Sequence, residues 1–400
     1  MCYTQIPCHR LQRVYLSFVA ASCYIHIPFC ARICCYCDFY RVLHDPGTEQ
    51  SFVAALVGEM ALRLSDERGL PAPLTTFYFG GGTPTILSEQ SWRRIFATIR
   101  NYFSFGETAE ITVEANPESA TAEKLQLLHE LGVNRVSFGA QSFSAANLER
   151  LGRIHNVGQI ASAVQNARQA EIANVSLDLI YGLPDETDSS LDFDLKAATA
   201  LTPQHLSFYA LTLEGDVPLR HQVQRKEVSL PDDDHIAKRY VTAIDFLGGR
   251  GYQHYEISNF AVPGYECHHN LAYWEQRDYF AFGPAAVATL NGKRIRNEPD
   301  LATYIKNLSS GRLPPHEIEH LTGSKRLLET IMLSLRLTSG LDITLLRDSF
   351  GYDILIKRRD LLAKLQEVGD LVIADGFIRL TGQGMFRSDL IASSLCPDFV

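Results

Sequence analysis

The sequence lacks a surplus of basic residues. Its 400 residues include 37 Lys and Arg against 46 Asp and Glu, a formal net charge of −9, and no long basic block offsets this balance. General affinity for nucleic acid or for an anionic membrane is therefore not expected. A run of about 18 apolar residues, the length of a transmembrane helix, is also missing, as is any low-complexity tract. With 46% hydrophobic and 21% charged residues, the composition is typical of a soluble globular protein.

The nine cysteines are unevenly spread. Four of them stand between residues 30 and 37, and the rest are scattered along the chain. A disulfide framework would be more even, and a chain of this length does not need one. Clustered cysteines in a large acidic chain indicate metal binding in a reducing cytoplasm.

The N-terminus imitates a signal peptide. Basic residues precede an apolar stretch, residues 14–29, whose middle holds the small residues of a cleavage site. The stretch runs directly into residues 24–27, which have the pattern of a buried strand. Cleavage there would also export an oxygen-sensitive thiolate cluster. We therefore expect residues 1–22 to be a dispensable extension of a cytoplasmic protein.

Strand and helix patterns alternate through the first half of the chain. The candidate strands are residues 24–27, 76–79, 110–114, 135–139, 175–180 and 205–210. The amphipathic segments between them lie near residues 49–64, 88–103, 121–131, 158–171 and 190–201. This alternation predicts an α/β fold of parallel β/α units, as a barrel-type or a doubly wound sheet. In both, ligands bind at the carboxyl ends of the strands.

The character of the chain changes at about residue 318. Helical patterns at 324–335, 344–350 and 354–367 precede a hairpin that turns at Asp375-Gly376. Three helices and a hairpin predict a winged-helix-like α+β module. We therefore predict four parts: an extension (1–22), a core (23–245), an aromatic linking region (246–317) and this module (318–400).

Cys30, Cys34 and Cys37 form the spacing C-x3-C-x2-C. Three thiolates suit three irons of a 4Fe–4S cubane and leave the fourth iron open. An open iron can chelate the amino and carboxylate groups of S-adenosylmethionine (SAM), whose one-electron cleavage gives an organic radical. The alternative is a zinc site with Cys35 or Cys267 as its fourth ligand. The side chain of Cys35 should point away from its neighbours.

Several strand ends carry residues suited to SAM. Residues 80–82 are glycines that let the backbone approach a ligand closely, although a glycine turn is usually only a turn. Glu114 ends the third strand, where its carboxylate can accept hydrogen bonds from ribose hydroxyls or merely cap a loop. Comparable positions are held by Gln141, Arg153 and Asp178.

An aromatic stretch in the second half contains His269, Tyr273 and Trp274. A histidine beside these rings can ligate a haem iron and shield its plane. The alternative is a structural histidine whose hydrogen bonds are made within a loop beside an aromatic cluster. The residues alone leave both interpretations open.

These motifs resemble the HemN/HemW branch of the radical SAM proteins, in order from about residue 24 to 390. They are YIHIPFC at 24–30, YCDF at 36–39, GGGTP at 80–84, EANP at 114–117, NRVSFGAQSF at 134–143, LGRIH at 151–155, DLIYGLP at 178–184 and YEISNFA at 255–261. The resemblance implies a partial (β/α) barrel with a 4Fe–4S cluster, SAM and a C-terminal winged-helix-like domain. It implies SAM contacts at Tyr24, Tyr36, Gly81, Gly82, Thr83, Glu114, Gln141, Arg153, Asp178, Ala210 and Val287.

Two subfamilies of this branch compete. Oxygen-independent coproporphyrinogen III oxidases carry a further cysteine two residues after the third cluster ligand and a longer N-terminal region. This chain has Phe39 there and only 29 residues before Cys30. The haem chaperones resemble it in residues 37–39 and in His269, Tyr273 and Trp274, which implies haem binding. We therefore expect a haem chaperone without oxidase activity, keep the oxidase as the alternative, and assign no catalytic residue.

The resemblance has one gap and several further implications. After Tyr279 the relatives have a glycine-rich run with a histidine, whereas this chain has Ala281, Ala285 and Val287. The implied partners are haem and haem-accepting proteins, and an electron donor such as flavodoxin or ferredoxin. A homodimer and transient contact with membrane haemoproteins are compatible with this role. A DNA-binding regulator built on the C-terminal module is a third hypothesis, and the chain's acidity argues against it.

Overall fold

The computed structural model describes residues 22–64 and 73–397, so the predicted extension lies outside the described residues except for Ser22. Six parallel strands form the centre and neighbour one another in chain order. They are β1 (Ser22–Ile27), β2 (Leu74–Gly81), β3 (Phe105–Ala115), β4 (Arg135–Gln141), β5 (Asn174–Tyr181) and β6 (His205–Ala210). All six predicted strands are present, and most extend beyond their predicted ends.

Helices connect these strands as the amphipathic segments predict. They are Pro46–Leu64, Glu89–Tyr102, Ala122–Glu130, Val157–Gln169 and Asp188–Ala200, with a short helix at Ala145–Arg150. Five of these six begin at a polar side chain that accepts a hydrogen bond from the first turn: Ser88, Thr121, Ser144, Asn156 and Thr187. Such caps satisfy backbone donors that have no partner within the helix.

The sheet continues on both sides of the six strands. Tyr279–Phe282 pairs in parallel with β1, and three antiparallel strands follow it: Val287–Leu290, Lys293–Asn297 and His316–His320. Beyond β6 lie Asn259–Ala261 and Gln253–Glu256. The outermost described strands do not pair with each other, so the sheet is an open, partial barrel. The region predicted as a linker, 246–317, thus contributes strands to the main sheet.

The C-terminal part has its own small sheet. Its three strands run in the order Leu341–Asp342, Phe377–Leu380, Leu371–Ala374. The predicted hairpin is present, and both Asp375 and Gly376 have positive φ, as a type I′ turn requires.

The helices of this part are Ser324–Ser334, Ile343–Phe350, Ile354–Lys357, Arg359–Glu367, Gly382–Phe386 and Ser388–Leu395. The prediction of one helix over 354–367 was wrong. It is interrupted at Arg358, which leaves the helical conformation and whose guanidinium donates to the carbonyl oxygen of Cys396.

The remaining elements that the structure describes are four helices, two 3-10 turns and a pair of short strands. They comprise the helices Pro218–Gln224, Asp233–Gly248, His268–Trp274 and Leu301–Ser309, the 3-10 turns Pro84–Ile86 and Pro117–Ser119, and a parallel pair of segments, Phe29–Cys30 with Val42–Leu43. Among the described residues, no helix has the length and apolar character needed to cross a bilayer.

Strand alternation sorts side chains between the helices and the barrel interior. On β2, Phe77 and Phe79 point outward, and Phe79 packs on Trp92 with ring centroids 5.0 Å apart. Thr76 and Tyr78 point inward, where they contact polar groups. The two faces of a strand alternate with a period of two, so the same sequence supplies an apolar shell and a polar interior.

Candidate functional site

The three motif cysteines lie at the carboxyl ends of the strands. Cys30 ends the segment after β1 and is buried, while Cys34 and Cys37 are half-buried in the following loop. Burial raises the pKa of Cys30 and Cys37, and a negative charge on Cys34 raises both further. A metal ion bound by this loop would offset these shifts, because its positive charge favours the thiolate form of each cysteine.

Cys35 is directed elsewhere. Its thiol donates to the carbonyl oxygen of Arg150 at 3.2 Å, in the short helix after β4. In the parts of the chain that the structure describes, no three His, Cys, Asp or Glu side chains converge on a single ion position. Thiolates that each bind a different iron of a cubane do not need to converge on one point.

The glycine turn after β2 is fastened to the start of the cysteine loop. The backbone N–H of Gly82 donates to Ile27 O at 2.8 Å, and that of Thr83 to Phe29 O at 2.7 Å. A Cβ on Gly82 would lie 2.5 Å from Phe29 O, so no side chain fits there. The turn must therefore be glycine for the two loops to touch.

Glu114 faces this turn from β3. Its carboxylate accepts hydrogen bonds from Tyr78 Oη at 2.8 Å and from the backbone N–H of Gly81 at 3.1 Å. Burial raises its pKa to about 7, against the effect of the Tyr78 hydrogen bond. A carboxylate held by two donors still has lone pairs for ribose hydroxyls, so its position fits the predicted role.

Asp178 lies beside Glu114 in the barrel interior. It accepts a hydrogen bond from Ser137 Oγ at 2.9 Å and another from Ser207. Burial raises its pKa, and its negative charge in turn raises the pKa of Glu114. Two carboxyl groups that face the same interior suit a ligand that carries several hydrogen-bond donors.

Tyr24 is oriented from β1. Its hydroxyl is 3.1 Å from His26 Nδ1, while His26 Nε2 is 2.9 Å from the carbonyl oxygen of Tyr40. Because a carbonyl only accepts, Nε2 carries the proton, and Nδ1 accepts from Tyr24. Burial lowers the pKa of His26 to about 4, so the ring is neutral near pH 7.

Arg153 connects the strand ends to the cysteine loop. Its Nη1 donates to Cys34 Sγ at 3.5 Å, and its Nη2 donates to Asn116 Oδ1 and to Gly139 O. The Nε atom is buried without a partner. A buried guanidinium with one free donor at this position suits the carboxylate of a bound amino acid moiety.

The remaining predicted SAM residues are placed as follows. Tyr36 is half-buried and hydrogen-bonded to Arg153, and Gln141 ends β4 with a φ of 65°. Ala210 ends β6 opposite Tyr181. Val287 begins an antiparallel strand opposite Arg296, outside the six central strands.

His269 lies beside Thr76, near the amino-terminal ends of β1 and β2, and its ring stacks on Tyr78 with centroids 5.0 Å apart. It is 1% exposed, and its ring nitrogens are 2.8 Å from Thr76 Oγ1 and from Tyr273 Oη. Burial lowers its pKa to about 3. The predicted pairing of His269 with Tyr273 on one helical face is therefore present, but both ring nitrogens already have partners.

Trp274 is directed toward the C-terminal part of the chain. The Arg336 guanidinium lies over its indole, 4.6 Å from the ring centroid. The indole Nε1 is buried without a hydrogen-bond partner. In this conformation, His269 and Trp274 therefore do not border a common open surface.

Some site residues escape the sequence analysis. Tyr78 orients Glu114, Asn116 links Arg153 to Thr83, and Tyr209 lies 41% exposed near Asp178 at the end of β6. Tyr78 and Tyr209 occupy alternate positions of their strands whose side chains face the barrel interior, and this alternation was the sequence signal available for both. Asn116 stands within the quoted motif EANP, but its role depends on contacts across three strand ends.

Two parts of the chain match models of known families. Residues 24–198 match the model of the radical SAM superfamily, and residues 321–387 match that of the HemN C-terminal domain. The chain is 34% identical to the heme chaperone HemW of Bacillus subtilis (strain 168), over 91% of this chain and 96% of that protein. It is also 34% identical to the protein of that name in Mycobacterium tuberculosis (strain H37Rv), over 93% of this chain and 94% of the relative.

A solved structure has the same architecture. Coproporphyrinogen III oxidase (HemN) from Escherichia coli, described as a radical SAM enzyme, superposes with a TM-score of 0.81 at 25% identity, over 94% of this chain and 89% of that chain. The partial barrel and the C-terminal domain are thus a shared fold.

Proposed function

Because this chain belongs to the HemW family of radical SAM proteins, we propose that it binds haem and delivers it to proteins that require haem. The observation that carries this proposal is the similarity to proteins named heme chaperone over more than nine-tenths of both chains. Phe39 supports it, because it stands where the oxidases carry a further cysteine, and its side chain is 66% exposed.

The radical SAM family implies a 4Fe–4S cluster and SAM. We propose Cys30, Cys34 and Cys37 as the cluster ligands, and the strand-end residues around Glu114, Asp178 and Arg153 as the SAM site. When bound, the two groups supply one-electron reductive chemistry. The protein's own residues bind and orient: the carboxyl groups accept from hydroxyls, and Arg153 offers its free Nε to a carboxylate.

His269 remains a proposed haem ligand, and the structure sets a condition on it. An iron bond to Nε2 requires the Tyr273 hydroxyl to leave, and one to Nδ1 requires Thr76 to leave. We therefore propose that haem binding opens the helix His268–Trp274 from the barrel. We also propose the partners that the family implies: an electron donor of ferredoxin or flavodoxin type, a second copy of the chain in a homodimer, and haem-accepting proteins.

Two parallel assays on anaerobically reconstituted protein separate chaperone from oxidase. We expect haem titration to give a perturbed absorption band, and coproporphyrinogen III with SAM and reductant to give no protoporphyrinogen. The fold shared with the Escherichia coli oxidase makes the second assay necessary. Turnover by fully loaded protein would replace the chaperone with the oxidase.

The ligand assignment is tested separately. His269→Ala should weaken haem binding or shift the band. His254→Ala, which removes a half-buried histidine packed against Tyr240 on the other face of its strand, should do neither. An unaltered haem spectrum in His269→Ala would remove His269 as a ligand and leave the protein class standing.

A further inference from the structure

Two of the three cluster cysteines each accept a hydrogen bond from a side chain outside the cysteine loop. The Thr83 hydroxyl is 3.5 Å from Cys30 Sγ, and Arg153 Nη1 is 3.5 Å from Cys34 Sγ. The two donors come from different strand ends, after β2 and after β4. They are joined through Asn116, which follows β3.

The chemistry of these groups fixes the direction of each hydrogen bond. A guanidinium only donates, so the side-chain oxygen of Asn116 must face Arg153. The amide nitrogen of Asn116 then faces Thr83 Oγ1 and donates to it at 2.9 Å. The single hydroxyl proton of Thr83 is left for Cys30 Sγ. One arginine therefore acts on Cys34 directly and on Cys30 through a chain of three hydrogen bonds that passes through Asn116 and Thr83.

We propose that Arg153, Asn116 and Thr83 form a donor relay that raises the reduction potential of the cluster. Reduction adds negative charge that the thiolate sulfurs share. Hydrogen bonds and a nearby positive charge stabilise that form more than the oxidised one. The relay rests on the cluster assignment within the proposed function and is independent of haem delivery. Asn116 is a positioning residue, because it acts only through its neighbours.

Two substitutions interrupt the relay in different ways. Thr83→Val removes the hydroxyl and keeps the shape, whereas Thr83→Ser keeps the donor. Asn116→Asp replaces the donating amide with an acceptor, which draws the Thr83 proton away from the sulfur. The backbone N–H of Thr83 keeps its hydrogen bond to Phe29 O in every variant, so the turn is retained.

A matched control lies two residues away. Thr85 is also buried, but its hydroxyl is 2.6 Å from Ser119 Oγ. Thr85→Val therefore changes the same turn without removing a thiolate donor.

The measurement is an anaerobic redox titration of the full chain with its cluster, followed by EPR, with dithionite, mediators and neither SAM nor haem. Thr83→Val should be about tenfold harder to reduce, which is about 59 mV lower for a one-electron couple. Thr83→Ser and Thr85→Val should keep the wild-type potential. Asn116→Asp should lower the potential more in the wild-type chain than in a chain that already carries Thr83→Val. The negative charge of the aspartate acts in both chains, whereas the hydrogen bond from Thr83 to Cys30 can be lost only in the first.

An unchanged potential in fully loaded Thr83→Val would overturn the relay. If Thr83→Val loads no cluster, the test is the potential of Asn116→Asp. A wild-type potential in that variant would also overturn the relay. A wild-type chain that loads no cluster at all would instead overturn the cluster assignment, and the relay with it.

Discussion

At the residue scale, burial governs the protonation of the groups that face the proposed SAM site. Glu114 and Asp178 both have raised pKa values because the barrel interior removes water from them. With a pKa of about 7, Glu114 changes charge near neutral pH. A ligand that offers hydroxyl donors binds best to the carboxylate form, so binding at this site should depend on pH.

Cluster loading tests the cysteine assignment. Cys37→Ala should abolish the cluster, because a cubane site that loses one of three ligands no longer holds about four irons per chain. Cys35→Ala should load normally, since its thiol faces Arg150. Iron and sulfide analysis after anaerobic reconstitution measures both, and full loading of Cys37→Ala would contradict the assignment.

SAM affinity tests Glu114. Glu114→Ala should weaken binding about tenfold to a hundredfold, because a hydrogen bond to a charged group contributes roughly 1.5–3 kcal/mol. Wild-type affinity should also rise from pH 6 to pH 8 as Glu114 ionises. Calorimetry on cluster-loaded protein measures both effects. The exposed Glu123→Ala is the control, and equal affinities in the two variants would remove Glu114 from the site.

At the scale of elements, one carboxylate holds the helix His268–Trp274 against the sheet. Glu110, on β3, accepts hydrogen bonds from the backbone N–H groups of His268 and His269 at the start of the helix His268–Trp274. Arg135 is buried, and the negative charge of Glu110 raises the pKa of its guanidinium. Glu110 thus satisfies unpaired helix donors and balances a buried cation.

Removing that carboxylate should destabilise the protein strongly. Glu110→Ala leaves the backbone donors of His268 and His269 without their acceptor, a loss of roughly 1–3 kcal/mol for each buried donor that stays unsatisfied. Glu107→Ala changes an exposed residue of the same strand and should have little effect. Urea unfolding of the cluster-free chain compares the two, and similar midpoints would show that Glu110 is not an anchor.

At the scale of the whole molecule, a polar contact joins the core to the C-terminal part. Arg336 lies over Trp274, its carbonyl oxygen accepts from Ile257 N, and its charge lowers the pKa of the buried Glu256. Burial nevertheless raises the pKa of Glu256 to about 7. The folded protein therefore binds a proton that the unfolded chain releases, so stability falls as pH rises toward that value.

In Arg336→Ala, the fall of stability with rising pH should continue to a higher pH than in the wild type. Without the arginine, the pKa of Glu256 rises further, and ionising the buried carboxyl becomes more costly. The destabilisation relative to wild type should therefore be larger at pH 8.5 than at pH 6. The exposed Arg347→Ala should show no such difference. Denaturant unfolding at both pH values measures it, and a pH-independent loss in Arg336→Ala would mean that the contact is packing alone.

The sequence by itself determined the family, the six central strands with their helices, and the position of the cysteine motif. These depend on periodicity and on contiguous motifs, which are local along the chain. Tertiary structure decided which side chains meet. Arg153, Asn116 and Thr83 stand after three different strands, and only the parallel alignment of those strands brings them to two cysteines. The same holds for His269, whose burial against Thr76 depends on a helix entering the barrel from distant sequence.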